Sequence, residues 1–163
     1  VVVMIHVTWI IEGILAHSFY PFVGDLDEIY TKGIRAIVSM EKRSNFDLTI
    51  IQKKNFDYLE ITVKDFTAPT LEQLIQINTF IDKKKEEGKP VLVHCFVAGR
   101  SGTVLASHLI HLGESPENAV QEIRNRITQN TGIPYKGIIE TEDQRRILDY
   151  YAMEQKKQGS LDV

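Results

Sequence analysis

The run Val91-Leu92-Val93-His94-Cys95-Phe96-Val97-Ala98-Gly99-Arg100-Ser101-Gly102-Thr103 decides how this chain is read. Its first residues are apolar and β-branched, as a buried strand requires. A tight loop holding Gly99 and Gly102 follows, and Val104 to Leu112 then reads as a helix that stops at Gly113. The chain's only cysteine, Cys95, therefore stands at a strand-to-helix turn. Backbone N–H groups converge at such a turn, the helix dipole adds partial positive charge, and Arg100 adds a full one. A free thiol with a pKa of about 8.5 falls to about 3.5–7.5 in surroundings of this kind, which predicts a Cys95 ionised near neutrality. A cysteine after an apolar strand is ordinarily a small buried hydrophobe. Two glycines, an arginine and two hydroxyls within the next eight residues argue against that here, because an anion cradle uses all of them.

Outward from this run the chain alternates between helical and strand patterns. Upstream, Val1 to Ile11 is rich in β-branched and aromatic residues and predicts a strand, and Glu12 to Ser18 reads as turn material leading to Tyr20-Pro21. Gly24 to Gly33 has acids early and a lysine late, the polarity of a short helix, and Ile34 to Met40 is a strand. Glu41 to Asn55 predicts a short helix and Phe56 to Val63 a further strand. Leu71, Leu74, Ile75, Ile77, Phe80 and Ile81 recur at helical spacing behind a Thr70 cap. Downstream, Ser115-Pro116 opens a helix with the buried stripe Ala119, Val120, Ile123 and Ile127. Thr128 to Gly137 reads as a loop, and Ile138 opens the last helix. This rhythm predicts an α/β fold, a central mixed or parallel sheet flanked by helices, with functional loops at the strands' carboxyl ends.

The chain has 163 residues, 43% of them hydrophobic and 25% charged, which suits one domain over 1–163 that buries about 70% of its unfolded surface. A net charge of −3 gives no broad basic surface for nucleic acid or an anionic membrane, so anion binding must be local. The apolar start is too short to span a bilayer, and a lone cysteine suits a reducing cytoplasm. His6 and His17 lack a third ligand at metal-binding spacing, so no metal is expected.

His94-Cys95 followed by Ala98-Gly99-Arg100-Ser101-Gly102-Thr103 resembles the signature loop of the cysteine-dependent protein tyrosine and dual-specificity phosphatases, His-Cys-x5-Arg-Ser/Thr. The segment Asp65-Phe66-Thr67-Ala68-Pro69, beginning 30 residues before Cys95, resembles that of the compact archaeal-type members. The resemblance implies a tyrosine-phosphatase-like fold and hydrolysis of phosphotyrosine, and of phosphoserine or phosphothreonine, in proteins or peptides through a phosphocysteine. It makes Cys95 the nucleophile, Arg100 the phosphate clamp and Ser101 the hydroxyl that assists the thiolate. The stretch Phe96, Val97, Ala98 and Gly99 supplies the phosphate-binding loop, and Asp65 the general acid. His94 orients the loop, and Gln144, in Glu140-Thr141-x-x-Gln144, lies near the attacking water. No metal or organic cofactor is implied. Apolar side chains at Phe96, Val97 and Ala98, where lipid phosphatases of this class often carry lysine, speak against phosphoinositides.

One feature departs from the pattern: only four residues separate Cys95 from Arg100. The missing residue takes up to about 3.3–3.6 Å from the loop's contour and removes one amide donor. Tight positioning of reacting groups matters greatly to catalysis, so the short loop puts the activity, but not the fold, in question. Three alternatives stay open. One is a rhodanese-like sulfurtransferase, whose six-position loop has the length of Cys95 to Arg100. The second is a phosphate-binding protein without turnover, and the third a protein whose Cys95 is purely structural.

Overall fold

The computed structural model describes residues 4–96, 98–132, 134 and 137–161, with nothing said of the Ala98 side chain. Five strands form one sheet: β1 (Thr8–Ile11), β2 (Leu15–Phe19), β3 (Ala36–Ser39), β4 (Asp57–Glu60) and β5 (Val91–Cys95). Their order is β1-β2-β5-β3-β4, antiparallel between β1 and β2 and parallel elsewhere. The expected mixed sheet is therefore present, with β5 at its centre, and Cys95 ends the central strand at its carboxyl edge. Among the described residues, six α-helices flank the sheet: α1 (Leu26–Thr31), α2 (Asn45–Lys53), α3 (Leu71–Glu86), α4 (Ala98–His111), α5 (Pro116–Thr131) and α6 (Glu142–Leu161). No helix among the described residues is long and apolar enough to cross a membrane.

Period-2 alternation along the strands sorts the core into two layers. Leu15, Ala36, Val38, Val91, Val93 and Cys95 face the side that holds α3 to α6. Ala16, Ile37 and Leu92 face the side covered by Leu26 and Ile29 of α1 and Ile51 of α2. Caps set the helix starts. Thr70 accepts from the Gln73 amide while Gln73 reaches back to the Thr70 amide, and the Ser115 hydroxyl accepts from the Asn118 amide ahead of Pro116.

The structure corrects several sequence expectations. Glu12 to Ser18 is no turn: only Glu12 to Ile14 bend, with Gly13 at φ +71°, and Leu15–Phe19 is a strand between β1 and β5. Ala, His and Ser have weak strand preference, and it is burial on both faces that makes this segment β. The last helix begins at Glu142 rather than Ile138 and runs to Leu161. The largest correction concerns α4, which starts at Ala98, six residues before the expected Val104. Arg100, Ser101, Gly102 and Thr103 are thus helical. Val97, one of the predicted phosphate-binding residues, lies outside the described residues, as do Val1 to Val3, Tyr135 and Lys136.

Candidate active site

The helical start of α4 changes what its glycines do. A Cβ on Gly102 would overlap the Ile138 carbonyl, and one on Gly99 would overlap the Glu140 carboxylate. These glycines admit the 137–140 segment against the first turn of α4, which the sequence did not reveal. Glu140 is therefore brought to the site. Burial, then the charge of Asp65, raises its pKa, while Arg100 and the Gly99 amide pull it down.

Cys95 is almost wholly buried, with Sγ 3.2 Å from the Ser101 hydroxyl. Arg100 reaches the cleft from the first turn of α4. Its side chain is 3% exposed, and its Nη1 donates to the Val63 carbonyl at 2.6 Å. Its Nη2 forms an ion pair with Glu41 and lies 3.5 Å from Asp65 Oδ1. The Phe96 amide donates to the same Glu41 oxygen at 3.3 Å. Glu41, Val63, Asp65, Phe96 and Arg100 line a cleft of about 350 Å³.

Asp65 is 42% exposed, and its Oδ1 accepts from the Phe66 amide, with Phe66 held at φ +61°. Gln144, by contrast, is fully buried. Its Oε1 accepts from the Glu140 amide at 2.8 Å, and its Nε2 donates to the Thr67 carbonyl at 3.1 Å. It therefore ties the Asp65 loop to the Glu140 segment. His94 is buried with Nε2 3.2 Å from Arg43 Nη2. Arginine only donates, so Nε2 accepts and the proton sits on Nδ1. Burial and the Arg43 charge hold His94 well below its usual pKa.

The expectation of an ionised Cys95 meets a correction. Burial pushes its thiol up and Glu41 adds to this, while Ser101 and Arg100 pull down without cancelling the rise. The arginine meant for an anion is instead held by a carboxylate of the chain itself. The sequence groups Cys95, Ser101, Arg100 and Asp65; the structure sets Ser101 against Cys95 and Arg100 near Asp65, and it adds Glu41, Glu140, Arg43 and His17, which the sequence did not place there. No alternation marks His17, since β2 is buried on both faces. Glu41 follows its strand with no spacing to mark it.

An α/β sheet whose central parallel strand ends in a cysteine, beside a hydroxyl and within the field of an arginine, suits phosphate-ester chemistry. Comparison with known proteins gives it a family. Residues 17–114 match the model described as Tc-R-P, polymorphic toxin system, DSP-PTPase phosphatase. The chain is similar to the crystal structure of Tk-PTP in its active form, 31% identical over 91% of this chain and 97% of that one, with a TM-score of 0.79. PTPMT1, 21% identical, shares the fold over 94% of this chain and 98% of its own, with a TM-score of 0.80. So does kinase associated phosphatase, crystallised with serine at its catalytic-site cysteine: 20% identical, 94% and 97% covered, TM-score 0.76. The chain belongs to the DSP-PTPase phosphatases, cysteine-dependent enzymes of the dual-specificity kind. It is a protein phosphatase, a phosphoric monoester hydrolase.

Proposed function

We propose that Cys95 attacks the phosphorus of a phosphotyrosine, and also of a phosphoserine or phosphothreonine, in a protein or peptide, giving a phosphocysteine that water then hydrolyses. The observation that supports this most is the pairing of Cys95 with Ser101 beside an Arg100 whose charge acts on the thiol and which shares one cleft with Asp65. In the first step the S–P bond forms as the P–O bond to the leaving group breaks, and Asp65 gives that oxygen a proton. In the second, Asp65 takes a proton from water as the new P–O bond forms and sulfur departs as thiolate. Arg100 and the amides of Phe96 and Gly99 hold the transferring oxygens once Glu41 and Glu140 give way. The Ser101 hydroxyl steadies the thiolate in both steps. Gln144 holds the Asp65 loop in place. The setting we assign is the cytoplasm, where a lone thiol stays reduced.

A second reading, phosphate binding without turnover, has support in the raised thiol and the occupied arginine. The rhodanese comparison rests on loop length alone and goes no further. Hydrolysis of p-nitrophenyl phosphate from pH 4 to 8 separates turnover from binding alone. Turnover that Cys95→Ser abolishes, with an acid-side profile that Asp65→Asn flattens, is the expected result. Absence of turnover in folded protein of correct mass overturns it in favour of binding alone.

A further inference from the structure

His17 is buried in the middle of β2, in register with Val93 of β5, on the face that α4 covers. Its Nε2 lies 3.2 Å from the Ser101 hydroxyl, which itself lies 3.2 Å from Cys95 Sγ. Three buried groups from β2, α4 and β5 thus form one continuous line to the thiol. The rigid sheet fixes the outer two and the first turns of α4 fix the third.

The direction of the two hydrogen bonds follows from what each group offers. A thiolate has no proton and only accepts, so when Cys95 is ionised the Ser101 hydroxyl must donate to it. The Ser101 oxygen then has its lone pairs turned toward His17, and only an Nε2–H satisfies that contact. Burial keeps His17 neutral, its pKa lowered to about 4, so one ring nitrogen carries the proton and the ring brings no charge to the site. A hydroxyl whose oxygen accepts a hydrogen bond is a better donor through its own proton, since such chains polarise one another.

We propose that His17 is a positioning residue that turns the Ser101 hydroxyl toward the Cys95 thiolate and strengthens its hydrogen bond there. This rests on the reading of Cys95 as nucleophile. The charged groups acting on Cys95 are Arg100, which favours the thiolate, and Glu41, which opposes it. His17 is not among the groups whose charge acts on Cys95, so what it contributes there runs through the Ser101 hydroxyl. Such a line costs little when the thiol is protonated. It acts when sulfur carries charge, at the attacking stage and again as sulfur leaves phosphorus.

The test reads Cys95 directly, by its rate of alkylation with iodoacetamide between pH 5 and 9, so it does not need turnover. Gln at position 17 carries an amide N–H about as far out as Nε2, whereas Asn reaches only to the Nδ1 position. We expect His17→Asn and His17→Phe to slow alkylation at pH 6 about three- to tenfold and to move the profile to higher pH, and His17→Gln to restore most of the rate. With Ser101→Ala already present, His17→Asn should add less than twofold, because the line is already cut. Equal slowing with and without Ser101, or Gln and Asn behaving alike in folded protein, overturns the proposal. If instead Cys95→Ser still hydrolyses p-nitrophenyl phosphate, it is the nucleophile reading that fails.

Discussion

Two buried polar clusters flank α4, and they are built to different standards. Where α3, α4 and α6 meet, Asn78 donates to Ser107 at 3.1 Å and to Tyr151 at 3.0 Å and accepts from His108 at 2.9 Å. His111 completes the cluster by touching both Tyr151 and Asp82. No side-chain atom of these six residues is buried without a partner. At the Cys95 end the opposite holds. Among the described residues, Arg43 Nε and Nη1, His94 Nδ1, Arg100 Nε and Glu140 Oε2 are all buried without a hydrogen-bond partner. Leaving such atoms unpaired costs about 1–3 kcal/mol each, more for charged groups, and a fold optimised only for stability would remove them. One cluster holds helices together, and the other leaves four donors and one acceptor unpaired, a reserve that the proposed phosphate binding would draw on.

Acid tests this contrast most strongly, because each cluster holds a histidine that burial keeps neutral, His17 on one side and His108 on the other, both lowered to about 4. For His108 the charge of His111 adds to burial. A depressed histidine pKa means that between about pH 6.5 and 4 the unfolded chain binds a proton that the folded one does not. Stability is thus full above pH 6.5 and is lost as pH falls toward 4, by about 2 kcal/mol per histidine at pH 5 and about 3 at pH 4. Urea unfolding at pH 7 and pH 5 should show the loss, and His17→Gln and His108→Gln should each flatten it. Unequal flattening would show which cluster is the better sealed from water. No flattening would mean that both rings protonate in place.

Next in size is the effect of emptying the satisfied cluster. Asn78→Ala leaves His108, Ser107 and Tyr151 each short of a partner, for an expected loss of about 2 kcal/mol. In a chain of this length that lowers the melting temperature by about 4–8 °C. The value of kcat should stay within twofold, since no atom of Asn78 reaches the cleft. A large fall in kcat with little change in melting would erase the distinction between the clusters.

How much of this was legible beforehand depended on whether burial or alternation carried the information. Helix α3 was plain, because Leu74, Ile77 and Ile81 repeat on one stripe and Thr70 with Gln73 writes its own cap. Cys95, Arg100 and Ser101 stood out by residue type around one turn, whereas Asp65 was singled out only by the resemblance of its segment to the compact archaeal-type phosphatases. β2 was not legible, because Ala16, His17 and Ser18 acquire their strand only from the neighbours on either side, and with that strand His17 was lost as a site residue. The early start of α4 was hidden for a related reason. Gly99 and Gly102 suggest a loop in isolation, and only the 137–140 segment lying against them shows that they serve close packing. Glu41 needed the fold outright, since 59 residues separate it from Arg100.

The smallest expected effect bears most directly on what the reserve of donors is for. Glu41 holds two groups that a bound phosphoryl would use, the Arg100 guanidinium and the Phe96 amide, through a single oxygen. Its side chain is about a quarter exposed, so leaving the cleft needs no unfolding. A carboxylate in that place competes with phosphate for the same donors, and its charge opposes both the thiolate and the incoming dianion. Glu41→Gln keeps the shape and removes the charge. Phosphate and vanadate should then inhibit about three- to tenfold more tightly, with melting nearly unchanged, because an amide binds arginine far more weakly than a carboxylate does. The opposite sign has an equally definite meaning. If the Gln variant binds phosphate less well, Glu41 holds Arg100 in its working position as the phosphate arrives, and the two act on the ligand together.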